Sequence, residues 1–158
     1  DAAVAVLDNR KTKVQSWFMD LTMVKNYWAG AKRAYHHTAP VSSIYAIHEA
    51  LNIVLEEGLE ARFERHKTVH EYLKNQLESR GFKFLVDENH RLPNLNAVFL
   101  PEGYDEADLR AKLLNQYNIE VGSGLGAFAG KLWRIGIMGE SATKNHVNML
   151  VGALDELM

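Results

Sequence analysis

Hydrophobic and polar positions along this chain repeat with two periods, one helical and one extended. Between residues 41 and 57, apolar side chains fall at Val41, Ile44, Tyr45, Ile47, Leu51, Val54 and Leu55, the spacing of one face of a long helix. Pro40 suits the first turn, where its missing N–H removes no bond, and Thr38 just before it can cap the free amides. Gly58 marks the stop. A second helix is expected over 59–80, with Leu59, Phe63, Val69, Leu73 and Leu77 inward and Gly81 closing it. Residues 82–86 then read as a strand, 87–93 as a turn region and 94–100 as a second strand that pairs across that turn. Asp105 caps a helix that runs to Tyr117 with Leu109, Leu113 and Leu114 apolar, and 118–121 read as a third strand. The fourth has strict period two: Trp133, Ile135 and Ile137 share one face, and Leu132, Arg134, Gly136 and Met138 share the other. Ser141 or Thr143 opens a last helix with Val147, Leu150, Val151, Leu154 and Leu157 buried. The order of elements predicts an α+β fold: an antiparallel sheet of about four strands with helices on one face, preceded by a long connecting helix.

The first forty residues are less regular. Residues 1–9 begin without a cap or a start methionine and read as the tail of a helix, so the chain is expected to be cut from something longer. Arg10, Lys11 and Lys13 suit a solvated turn. Residues 14–20 suit a loop or short extended segment, and 21–28 suit a helix that Ala29-Gly30 ends through a left-handed glycine.

Composition narrows the class without naming a function. The chain has 158 residues, 47% hydrophobic and 24% charged, enough to bury a core and too apolar for disorder. A net charge of -2 with no basic run argues against a nucleic-acid surface. The absence of cysteine excludes disulfides, thiolate metal sites and a thiol nucleophile. No apolar run approaches a membrane span and no leader pattern appears, so a soluble cytoplasmic protein is expected, with a peroxisomal or mitochondrial location left open.

Two stretches carry candidate chemistry. In the fourth strand the apolar face must pack inward, which turns Arg134 the other way. Gly136, two positions along, leaves space beside the guanidinium. A planar fork of donors in an open place matches a carboxylate, although a solvated arginine on an edge strand has the same sequence. Ahead of the long helix, Tyr35, His36, His37 and Thr38 put hydroxyl and imidazole donors beside unpaired amides, which favour a phosphate or other anion. An aromatic lead-in with a threonine cap reads the same way. The tandem histidines are a weak metal signal, since neighbours point apart and no third ligand is evident. His66 and His70 have zinc-like spacing but lack the glutamate of a His-Glu-x-x-His motif, and with Arg62 and Lys74 alongside they suit a solvated face. No metal site is expected.

Taken together, Tyr-His-His-Thr-Ala-Pro before an amphipathic helix, Arg-Leu-Pro before a strand, and Gly-Leu-Gly-x-x-x-Gly-Lys-x-x-Arg-Ile-Gly-x-Met-Gly resemble the C-terminal portion of the alanine-glyoxylate and serine-pyruvate aminotransferases. These are class V, fold-type I enzymes that use pyridoxal 5'-phosphate. The resemblance runs from about Val14 to Leu157. It implies that residues 1–40 end the large cofactor-binding domain, 41–58 form the connecting helix and 59–158 form the small C-terminal domain. It also implies a homodimer with shared active sites acting on small amino and keto acids. By position, Arg134 matches the arginine that grips the substrate carboxylate. Tyr35 and Thr38 match residues that reach the partner's cofactor phosphate, residues 124–130 match a loop beside the arginine, and His36 and His37 receive no role. The Schiff-base lysine, the aspartate at the pyridine nitrogen and the aromatic that stacks on the ring belong upstream of this chain, so the chain alone is expected to be inactive. Phosphoserine aminotransferases and cysteine desulfurases are the competing class V readings, the latter normally with a mobile cysteine that is absent here. A free-standing amino-acid-binding or dimerisation module is the reading from another class.

Overall fold

The computed structural model describes residues 2–30 and 32–158; of the helix expected to begin the chain, Asp1 lies outside them. The backbone divides into two compact units, Asp1–Asn52 and Ile53–Met158.

In the first unit, α1 (Ala2–Asp8) and α2 (Leu21–Lys25) are short, and an ion pair of 2.6 Å joins Lys25 to Asp8. Asp20 caps α2 through its carboxylate, which accepts from the amides of Thr22 and Met23. The helix ends earlier than its apolar spacing suggests, and Gly30 does not adopt the left-handed conformation expected of it. α3 (Val41–Glu57) starts after Pro40 and stops before Gly58, whose φ is 82°, and the boundary between the units falls inside it. Its apolar stripe is not covered: no residue of α3 is buried.

The second unit holds the core. α4 (Leu59–Glu78), α5 (Glu106–Tyr117) and α6 (Lys144–Leu157) accompany four strands, β1 (Lys83–Phe84), β2 (Leu95–Phe99), β3 (Gly122–Ser123) and β4 (Leu132–Gly136). The sheet is antiparallel throughout, as the order of elements predicts, and its strands run in the order β1-β2-β4-β3. Asp105 and Thr143 cap α5 and α6. Val98, Trp133, Ile135 and Ile137 turn one face of the sheet toward Val69, Leu73, Leu77, Leu109, Leu113, Val147 and Leu154. Truncating a fully buried leucine such as Leu73 costs about 2–5 kcal/mol in a core of this kind.

Further expectations change in the second unit. Leu59 and Phe63 are exposed rather than inward. Leu132 is buried although it shares a strand face with Arg134. Residues 118–121 are not a strand: Asn118 closes α5 in the left-handed conformation, φ 55°, and pairing with β4 begins only at Gly122. His70 does not lie on a solvated face. It is buried and hydrogen-bonds through Nδ1 to Asn96 Oδ1 at 2.8 Å, while Asn96, also buried, donates to the Ile135 carbonyl. No helix among the described residues is long and apolar enough to cross a membrane.

Candidate functional site

β4 is a central strand, and its register fixes the surroundings of Arg134. Ala97 of β2 lies opposite Arg134 on one side and Gly122 of β3 lies opposite on the other. Arg134 Nε donates to the Ser123 carbonyl at 2.8 Å, which pins the plane of the guanidinium and leaves its terminal nitrogens without an ion pair among the described residues. The open space comes from a different glycine than the sequence suggests. A Cβ added at Gly122 would lie 3.2 Å from the Arg134 NH2, whereas one added at Gly136 would meet the Met138 side chain. Gly122 therefore admits the guanidinium, and only strand register, which local spacing does not encode, reveals it.

The 124–130 loop beyond β3 is shaped by backbone contact. An added Cβ at Gly124 would lie 2.0 Å from the Phe128 carbonyl oxygen, so only glycine fits there. Lys131 donates to the Ala127 carbonyl, which closes the loop just before β4.

A second charged cluster sits where α3 gives way to α4. The Glu57 carboxylate accepts from Arg65 Nε at 2.5 Å and NH2 at 2.9 Å, and from Arg62 NH1 at 2.7 Å. Arg65 NH1 donates in turn to the carbonyls of Gly139 and Ala142. The hydrogen bond from Arg65, reinforced by Arg62, lowers the Glu57 carboxyl from an ordinary 4.5 to about 2. The cluster ties the start of α4 to the turn between β4 and α6. Its contacts reach up to 77 residues along the chain, so no local pattern announced it.

In the first unit, Tyr35 Oη and Thr38 Oγ1 lie 2.9 Å apart and hydrogen-bond. Thr38 therefore does not cap α3, because its hydroxyl is turned to Tyr35 instead. His36 and His37 do not point apart: their Nδ1 atoms lie 2.8 Å from each other, and the rings pack on Trp17 and Phe18 at centroid distances of 4.1 and 4.5 Å. No group of three or more metal-ligating side chains is present among the described residues. Tyr27, which the sequence did not single out, hydrogen-bonds the main chain of both histidines. Tyr35 and Thr38 thus come together, while Arg134 belongs to the other unit.

The four-stranded antiparallel sheet with its accompanying helices agrees with the comparisons to known proteins. The profile of the aminotransferase class-V family matches residues 10–142, and the chain belongs to that family. It is 38% identical over its whole length to an alanine-glyoxylate aminotransferase from Callithrix jacchus, of which it spans 39%. It is 37% identical, over 92% of its length, to an (S)-ureidoglycine-glyoxylate transaminase from Bacillus subtilis, of which it spans 35%. The structure of an alanine-glyoxylate aminotransferase from Nostoc sp. superposes with a TM-score of 0.88 at 44% identity, over 98% of this chain and 41% of that one. The chain thus spans about two fifths of the length of these relatives.

Proposed function

We propose that this chain is the C-terminal part of a longer pyridoxal-phosphate-dependent aminotransferase that moves an amino group from alanine or serine to glyoxylate or pyruvate. The observation that carries the reading is Arg134, held by Ser123 over Gly122 with its terminal nitrogens unpaired among the described residues. Such a fork binds the carboxylate that every amino-acid and keto-acid substrate shares, and binding it there orients the carbon to be aminated.

The donor set of the first unit fits the phosphate end of the cofactor. Two exposed hydroxyls, Tyr35 and Thr38, stand just ahead of α3, whose first-turn amides favour an anion. When bound, pyridoxal phosphate supplies the electron sink for amino transfer. The lysine that would hold it and move the proton lies in the part outside this chain, so the chain alone neither binds the cofactor covalently nor transaminates.

In the same reading, residues 1–40 end the large domain, 41–58 connect and 59–158 form the small domain. The uncovered apolar side chains of Trp17, Phe18, Ile44, Ile47 and Leu51 suit a segment that packs in the longer protein and its homodimer, where Tyr35 and Thr38 serve the partner's cofactor. The longer protein, given alanine and glyoxylate, should form pyruvate and glycine. Absence of turnover with alanine, serine, glyoxylate and pyruvate in every pairing would overturn the assignment.

A further inference from the structure

We infer that Tyr27 is a positioning residue that sets the direction of the Tyr35 and Thr38 hydroxyls, an inference that rests on reading those two as phosphate ligands. A tyrosine hydroxyl offers one donor and two acceptor sites, and here all three are used on the main chain. Tyr27 Oη donates to the His37 carbonyl and accepts from the amides of His36 at 3.0 Å and His37 at 2.9 Å. The hydroxyl therefore has no capacity left for a ligand and acts only through the segment it holds.

That segment belongs to no helix or strand, so no ladder satisfies those amides and that carbonyl if the hydroxyl is lost. The side chains divide accordingly. His36 is buried, His37 is half-buried, and both turn toward Trp17, Phe18 and each other. Tyr35 and Thr38, which flank them, are exposed, with hydroxyls 2.9 Å apart. Fixing the main chain at 36 and 37 thereby fixes both flanking residues. The Tyr27 ring also meets Tyr35 edge-on at 6.2 Å, so one residue sets the segment's height through its hydroxyl and limits Tyr35 through its ring.

The test uses the longer protein stripped of cofactor, with Tyr27→Phe, which keeps the ring and removes only the hydroxyl. Hydrogen exchange and the affinities for pyridoxal phosphate and for pyridoxal, which lacks the phosphate, are measured together. Exchange at the His36 and His37 amides should quicken about tenfold or more while α4 stays protected. Affinity for pyridoxal phosphate should fall about tenfold, the loss of one well-placed hydrogen bond, with affinity for pyridoxal unchanged. Unaltered exchange at those amides, or equal loss of both ligands, would overturn the role. The Tyr35→Phe/Thr38→Val double variant separates the two claims. An unchanged preference for the phosphorylated ligand in that variant overturns the phosphate assignment itself. A lowered preference there, with Tyr27→Phe still at the wild-type value, overturns the positioning role alone.

Discussion

The guanidinium of Arg134 rests over Gly122, its antiparallel partner on β3, so closely that a Cβ at residue 122 would lie 3.2 Å from NH2 and 3.5 Å from Cζ. The backbone contact of that Cβ, 3.5 Å to the Arg134 carbonyl oxygen, is ordinary. Alanine at 122 should therefore leave the strand paired and displace only the guanidinium. Gly122→Ala is expected to raise KM for amino-acid and keto-acid substrates about tenfold, the scale of a small misplacement in a substrate clamp, with a thermal midpoint close to wild type. A lost fold, or an unaltered KM, would show that the contact does not set the arginine.

Gly124→Ala should behave differently. The obstacle there is the Phe128 carbonyl at 2.0 Å, which belongs to the main chain and cannot swing aside, so the 124–130 loop must change course. Limited proteolysis is expected to cut this loop faster in Gly124→Ala than in Gly122→Ala, and equal rates would contradict the assignment of the loop's shape to Gly124.

Glu57 gives the fold a pH signature. Its carboxyl is lowered from 4.5 to about 2 by Arg65 first and Arg62 second. A depressed carboxylate stabilises the folded state fully above the unfolded value and loses that contribution as pH falls through the folded one. Urea midpoints for wild type and Glu57→Gln should thus differ at pH 6 and converge between about pH 4.5 and 2. A gap that stays constant over that interval would rule out the linkage.

The buried pair of His70 and Asn96 makes a stability prediction. Asn96→Ala removes the acceptor of His70 Nδ1 and the side-chain donor to the Ile135 carbonyl; the carbonyl keeps its ladder partner, the main chain of residue 96, while the His70 N–H is left unsatisfied inside the core. The expected loss is about 1–3 kcal/mol for the one group left unpaired, read from chemical denaturation. A change of a few tenths would mean that water replaces the amide.

Much of this architecture was legible because local chemistry and tertiary structure agree. Pro40 and Gly58 bound α3, Asp105 and Thr143 cap their helices, and the period-two run through Trp133, Ile135 and Ile137 places Arg134 on the opposite face. What escaped depends on partners distant in sequence. Pairing of β3 falls on Gly122 and Ser123, residues with little strand propensity, because β4 offers its free edge there. His70 shares a helix face with charged neighbours, and nothing local announces that Asn96 will meet it from β2. Tyr27 acts on main-chain atoms nine and ten residues away, so no side-chain pattern marks it.

The proposed homodimer, in which Tyr35 and Thr38 serve the partner's cofactor, predicts complementation between defective subunits. A protein carrying Tyr35→Phe and Thr38→Val is mixed with one that lacks the cofactor-holding lysine. One site of the mixed dimer then combines an intact lysine with intact hydroxyls and should retain cofactor normally on dialysis. Verified mixed dimers that show no recovery would place the hydroxyls within their own subunit.

The central claim is that Arg134 binds the substrate carboxylate, and steady-state kinetics of the longer protein test it most directly. Arg134→Ala should raise KM for both alanine and glyoxylate, a loss of about 1.5–3 kcal/mol for each charge-assisted bond removed. Arg134→Lys should recover only part of it, since an ammonium cannot reproduce the planar fork. Unchanged KM for both substrates in Arg134→Ala would remove this residue from the site.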